Sequence, residues 1–288
     1  MKKLRLGFVD TFGAIEEFFT EVLSREYEIE RDDDNPEYLI FGDRNFGSQN
    51  ELEKYRRDGI TRIFYTGENE RPNHYHCHHA ISFDHNDFYH YRLPLFVIYD
   101  WDNKRKGVTN SDNVSRPYYK GNPRGFCSFV VKNGGCEKRN EFFHRLNAYK
   151  KVDSAGPLFN NTGFLLERGA RAVEAKAEFL PKYKFNLCFE NSSYPGYATE
   201  KLYEALMFDT VPIYWGSPTI ALDFNPRAFL SWHDYLDDDK FFEKIKEIDQ
   251  DEAQYLNMYH ADAFVNCEKP VCFDLDRFVF WWNKNVYR

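Results

Sequence analysis

The chain's 288 residues suit two domains, at about 100 to 200 residues each. Lys plus Arg total 38 against 46 Asp plus Glu, and the net charge of −8 excludes the basic surface on which nucleic-acid binding rests, so an anionic ligand must be held by a few placed cations. Hydrophobic residues at 42% and charged residues at 29% exclude a disordered chain, and no run approaches the roughly 18 uncharged apolar residues of a membrane span.

The N-terminal residues Met1 to Asp10 are basic at first but lack the apolar core of a signal peptide, because Arg5 and Asp10 interrupt it. The chain is therefore read as cytoplasmic, with its six scattered cysteines reduced. Short apolar runs at Leu4 to Val9, Tyr38 to Phe41, Thr61 to Tyr65 and Ala80 to Phe83 predict strands, with a helix over Ala14 to Leu23. A polar tract from Trp101 to Arg124 predicts the domain boundary, placed between residues 120 and 121. Beyond it come a strand at Phe126 to Val131, a helix over Glu137 to Tyr149, a strand at Lys184 to Phe189, a helix over Glu200 to Phe208 and a strand at Val211 to Trp215. This alternation predicts an α/β protein of two Rossmann-like domains, residues 1–120 and 121–288, facing each other across a cleft. The last segment, 273–288, carries Phe278, Phe280, Trp281 and Trp282 and is expected to dock back on the first domain. With 28 Phe, 20 Tyr and 5 Trp, aromatic faces should also remain for stacking on sugar rings.

The window from Phe185 to Lys201 reads as strand, turn and helix N-terminus, with Thr199 placed to cap the helix. Such a junction attracts anions, since free amides and the positive end of the helix dipole point above the strand's carboxyl end. Lys201 falls in the helix's first turn, where the dipole opposes a cation, and Arg139 repeats the arrangement after Gly134-Gly135. The pair suits either a diphosphate or two solvated surface charges. Glu68 follows the Thr61 to Tyr65 strand beside Gly67, as a cleft-facing carboxylate or a solvated one. The tract His74-Tyr75-His76-Cys77-His78-His79 has the composition of a metal tract but no completing partner, and is read first as a polar loop. Asp100-Trp101-Asp102 and Asp274-Leu275-Asp276 match a short Asp-x-Asp pattern that recurs by chance. Signatures of P-loop, serine-hydrolase and dinucleotide-binding proteins are missing.

Phe189-Glu190-Asn191-Ser192, Gly196-Tyr197-Ala198-Thr199-Glu200-Lys201 and Val211-Pro212-Ile213-Tyr214-Trp215-Gly216-Ser217-Pro218 closely resemble the donor-binding motif of the α1,3/4-fucosyltransferases, glycosyltransferase family ten. Tyr65-Thr66-Gly67-Glu68-Asn69 with Arg71-Pro72-Asn73 resembles the family's first-domain motif, and the likeness runs with gaps from about Arg62 to Pro226, most closely to bacterial members. The first 60 residues match poorly, and the heptad repeats and basic amphipathic tail of some members are missing. The resemblance implies a GT-B fold and an inverting α1,3-fucosyltransferase that moves fucose from GDP-fucose to an N-acetyllactosamine-type glycan in surface glycan synthesis. Peripheral membrane association is compatible with it. It further implies that Arg139 and Lys201 bind the diphosphate, that Asn191, Tyr197 and Glu200 hold the nucleoside, ribose and fucose, and that Glu68 is the base. No metal or other cofactor is implied. The competing classes are a carbohydrate-binding protein with a relict nucleotide-sugar site and a glycosidase, which would need paired carboxylates flanking the bond.

Overall fold

The computed structural model describes residues 2–43, 50–57, 59–109 and 124–287, and it divides into Met1–Asp102 with Val271–Arg288, and Asn103–Pro270. The boundary expected between residues 120 and 121 lies outside the described residues. Part of the polar tract is helical instead, because the apolar start of Leu95–Arg105 carries the helix through Trp101.

The first unit is a six-stranded parallel sheet. Its strands are β1 (Lys2–Val9), β2 (Tyr27–Arg31), β3 (Tyr38–Phe41), β4 (Thr61–Tyr65), β5 (His79–Ser82) and β6 (His90–Arg92), in the order β2-β1-β3-β4-β5-β6. β3 and β5 are buried along their whole length, which is why β3 reads as an unbroken apolar run and not as an alternating one, while β5 opens on a buried His79. α1 (Gly13–Leu23) buries Ile15, Phe18, Phe19, Val22 and Leu23 on one face, and each such side chain taken out of water contributes about 1.5 to 3 kcal/mol. α2 is Leu95–Arg105.

The second unit is a five-stranded parallel sheet. β7 (Gly125–Phe129), β8 (Val152–Ser154), β9 (Tyr183–Phe189), β10 (Val211–Trp215) and β11 (Leu230–Ser231) lie in the order β11-β10-β9-β7-β8. Its helices are α3 (Glu137–Tyr149), α4 (Ala172–Phe179), α5 (Glu200–Met207), α6 (Asp238–Gln250) and α7 (Glu252–Tyr259). Phe142, Phe143 and Leu146 of α3 join Phe185, Leu187, Phe189, Val211 and Ile213 in one core, with the Phe142 and Phe189 rings stacked 4.8 Å apart.

Each unit thus starts by winding one way from its first strand and then reverses, so the crevice for a ligand lies at the carboxyl ends of β1 and β3 in one and of β7 and β9 in the other. The chain's last helix, α8 (Leu275–Trp281), belongs to the first unit. Asp274 caps it by accepting from the amides of Asp276 and Arg277, and Asp276 pairs with Arg25 at 2.6 Å, so this Asp-x-Asp pattern is a helix start. Phe278 packs on Phe19 and Tyr91, while Trp282 and Tyr287 meet Tyr38. Among the described residues no helix is long and apolar enough to cross a membrane.

Candidate active site

In the second unit the carboxyl ends of β7 and β9 bring Arg139, Asn191, Glu200 and Lys201 together around a residue the sequence reading left without a role, Glu190. Glu190 is the first residue after β9 and is fully buried. Its Oε1 accepts from the Thr199 amide at 2.8 Å, and its Oε2 accepts from the Thr199 hydroxyl at 2.7 Å and from Lys201 Nζ at 2.8 Å. Thr199 sits at the N-cap of α5, but its hydroxyl is spent on Glu190 and makes no cap bond, contrary to the capping role expected of it. Gly216 makes room for this knot, since a Cβ there would come within 2.5 Å of Glu190 Cγ and of the Tyr214 hydroxyl.

Arg139, the third residue of α3, is 0% exposed. Nη1 donates to Asn191 Oδ1 at 2.7 Å and to the Phe189 carbonyl at 3.3 Å, and Nη2 donates to the Asn133 carbonyl. Its Nε is buried with no hydrogen-bond partner among the described residues, and burial pulls the guanidinium's pKa below its ordinary value against the opposing charges of Cys136, Glu190, Tyr197 and Glu200. Lys201 is 15% exposed. The reading of both cations as solvated surface charges is therefore wrong.

Glu200 opens α5, 3.5 Å from Lys201 Nζ. Burial opposes its ionisation, but Lys201 and Lys176 outweigh that and hold its carboxyl down to about 2. One turn on, Glu204 is buried and accepts from Lys176 Nζ at 2.5 Å. Burial pushes the Glu204 carboxyl up in spite of Lys176, and its Oε1 has no partner among the described residues. Lys176, Glu200, Lys201, Glu204 and Asn186 line a cavity of about 10 Å³, close to what one water occupies. Tyr197 is fully buried beside this network, in a loop where the Gly196 amide donates to the Ser217 and Thr219 hydroxyls.

In the first unit Glu68 stands half-buried beyond the end of β4. Its amide donates to Thr66 Oγ1 at 3.0 Å, and that hydroxyl lies 2.6 Å from Asp43 Oδ2 on the turn after β3. Gly67 serves by close approach, not by a special turn, because a Cβ would meet Leu95 Cδ1 at 2.9 Å. Asp43, fully buried, was missed, although it follows an apolar strand just as Glu68 does. The His tract bridges β4 and β5, with His76 and His78 engaged by Arg56 and by the Arg62 amide. Among the described residues no group of three or more His, Cys, Asp or Glu is placed to hold a metal.

Residues 120–274 match the profile of the C-terminal domain of glycosyltransferase family 10 (fucosyltransferase). The chain belongs to glycosyltransferase family 10. Residues 5–99 match the N-terminal domain of alpha-(1,3)-fucosyltransferase FucT, so the first 60 residues, which read as poorly matching, lie mostly inside the family region. This family 10 chain is 34% identical over 276 residues to an alpha-(1,3)-fucosyltransferase FucT of Helicobacter pylori, a match covering 84% of the chain and 55% of that relative. The chain thus spans about half the length of that protein. A crystal structure of an alpha1,3-fucosyltransferase superposes with a TM-score of 0.81 at 26% identity, over 98% of this chain and 90% of that one. One of an alpha1,3-fucosyltransferase with GDP-fucose superposes at 0.76, 26% identical, over 100% and 91%. The fold is the α/β, GT-B type.

Proposed function

We propose that this family 10 chain is an inverting α1,3-fucosyltransferase that moves fucose from GDP-fucose to the GlcNAc of an N-acetyllactosamine-type glycan. The observation that carries the reading is that Arg139, whose buried Nε has no hydrogen-bond partner among the described residues, and Lys201, also withdrawn from bulk water, both lie at the carboxyl ends of β7 and β9. Two charge-assisted donors there suit a diphosphate. The likeness to an alpha1,3-fucosyltransferase structure with GDP-fucose supports that donor.

In this reading the second unit binds the donor and the first binds the acceptor. Arg139 and Lys201 take the diphosphate, and Asn191 orients Arg139 through its 2.7 Å bond while reaching the donor's nucleoside side. Glu200, held ionised by Lys201 and Lys176, accepts from the ribose hydroxyls. Tyr197 is buried, so it shapes the wall of the donor pocket from behind. Glu68 takes the proton of the acceptor hydroxyl as that oxygen bonds to the anomeric carbon of fucose, and the bond to GDP breaks on the opposite face, which inverts the centre. Charge building on the leaving diphosphate is met by the two cations, so no metal is needed for that task. The enzyme acts in the cytoplasm, peripheral to the membrane where surface glycans such as lipopolysaccharide are built.

Purified chain incubated with labelled GDP-fucose and a glycan array, with the linkage of each product determined, tests the whole reading. Transfer should appear at the 3-position of GlcNAc and survive EDTA. Binding of the glycans without transfer would instead favour a carbohydrate-binding protein with a relict donor site.

A further inference from the structure

The first unit carries a second polar recess at the opposite end of its sheet from Glu68. Tyr38 and Thr61 are the first residues of β3 and β4, and they border an open groove of about 600 Å³ whose lining includes Arg56, Arg57, Arg62 and His78. A four-residue strand at about 3.3 Å per residue puts roughly 13 Å between this groove and the carboxyl ends. It is therefore separate from the Glu68 site.

Three guanidinium groups share the groove in a chain whose net charge is −8. Their partners are mostly neutral. Arg57 donates to the Asp34 carbonyl at 2.8 Å and to Asn35 Oδ1 at 2.9 Å. Arg62 donates to the carbonyls of His76 at 2.8 Å and Tyr55 at 3.3 Å. Among the described residues neither makes an ion pair; Asp58, which follows Arg57 in sequence, lies outside them. Arg56 donates to His76 Nδ1 at 2.5 Å and stands 3.2 Å from Glu53. Glu37, the acid in the lining, is engaged by Arg5 at 2.9 Å. Asp33 of the preceding loop is turned to Arg31 at 2.7 Å, and Asp32 accepts the amides of Asp34 and Asn35. The guanidinium of Arg62 is pulled below its ordinary pKa by burial and then by Arg56, as expected of like charges held together.

We infer that the groove lined by Arg56, Arg57 and Arg62 is a binding site for a phosphate group carried on a larger polar molecule. Planar guanidinium forks match the paired oxygens of a phosphate, and fixing them on carbonyls in advance reduces the ordering cost of binding. The volume is in the range of small-molecule pockets and exceeds what a bare phosphate fills. Such a group reaches the protein either on a soluble phosphorylated sugar or on an anionic lipid headgroup. The site is independent of the donor reading, since it lies in the other unit and uses none of the donor residues.

The test begins by saturating the protein with GDP, so that phosphate binding at Arg139 and Lys201 is suppressed. Calorimetric titration with glucose 1-phosphate then covers the soluble arm, and sedimentation with phosphatidylcholine vesicles with or without phosphatidic acid covers the lipid arm. Binding in at least one arm is expected, weakened about tenfold or more in the doubly substituted Arg56→Ala, Arg57→Ala protein, as loss of charge-assisted contacts implies, with GDP affinity unchanged. Arg57→Gln keeps a polar amide on a shorter arm while losing the charge, and should weaken binding with GDP affinity unchanged. The arm that responds identifies the source of the phosphate. Failure of both arms with folded wild-type protein, or binding that ignores these substitutions, overturns the site.

Discussion

The two units share a reversal of strand order, yet the ends of their strands carry opposite chemistry. Beyond β1, β3 and β4 the first unit sets out Asp10, Asp43 and Glu68, while beyond β7 and β9 the second sets out Arg139 and Lys201 braced by Glu190 and Asn191. In the second unit Lys201 is paired with Glu190 and Glu200, and Arg139 is held by Asn191 and two backbone carbonyls, which suits a site that must hold a fixed ligand. Glu68 is instead half-exposed, with its own backbone amide and carbonyl fixed by Thr66. The same fold thus makes one crevice rigid in its electrostatics and leaves the other with an accessible carboxylate. One topology constrains where a site lies and leaves open which charges occupy it.

If the first crevice contributes chemistry and the second affinity, their substitutions should have separable effects. The largest is expected of Glu68→Gln, which retains shape but cannot take a proton. Turnover should fall by about 10² to 10⁴ with GDP affinity unchanged. Retention of more than about a tenth of wild-type turnover would reassign the base.

Next in size, Arg139→Ala and Lys201→Ala should each weaken GDP binding by about 1.5 to 3 kcal/mol, read by calorimetry on folded protein. Arg139 also anchors the Phe189 and Asn133 carbonyls, and removal of Lys201 leaves Glu190 without its cation in the interior. Both variants should therefore lose urea resistance, unlike Glu68→Gln, and an unchanged midpoint would show that these contacts do not brace the unit. Wild-type protein should gain thermal stability with GDP but not with CMP, by mass action on the folded state. Stabilisation by CMP and not by GDP would remove the donor assignment.

The smallest effect is on acid stability. The folded carboxyl of Glu200, near 2, lies below its ordinary value of 4.5, so its ionised form favours folding. That contribution is complete above about pH 4.5 and is lost as the pH falls towards 2. The urea midpoints of wild type and Glu200→Gln should hence converge between neutral pH and about pH 3. A gap that stays constant would mean that the charge of Glu200 is not what Lys201 and Lys176 stabilise.

Sequence periodicity disclosed the elements whose side chains cover a core. β3, β4, β10 and α3 match their predicted bounds, because each is bordered by a change from apolar to polar or turn residues. β2, with the pattern Tyr-Glu-Ile-Glu-Arg, and the three-residue β6 and β8 escaped, since edge strands bury too little to leave an apolar run. The two cations and Glu68 were legible as first-turn and strand-end positions. Lys176 was not, because the pairing that buries its charge comes from Glu204, 28 residues further on. Glu204 did leave a trace, as an acid set within the apolar stripe of Leu202, Ala205 and Leu206.

The docking of α8 on the first sheet has a consequence for how the protein is made. Phe278 and Trp282, both fully buried, complete the cover over Phe19, Tyr91 and Tyr38, but they leave the ribosome only after residues 103–270. The second unit is continuous in sequence and can close on itself as soon as it has emerged. The first unit, although its strands are synthesised earlier, must keep an aromatic face open until the last helix arrives, and closing so long a loop is slow. Birth order and completion order are thus reversed in this chain. The interval when that face is bare is when the nascent protein is most exposed to aggregation and to chaperones.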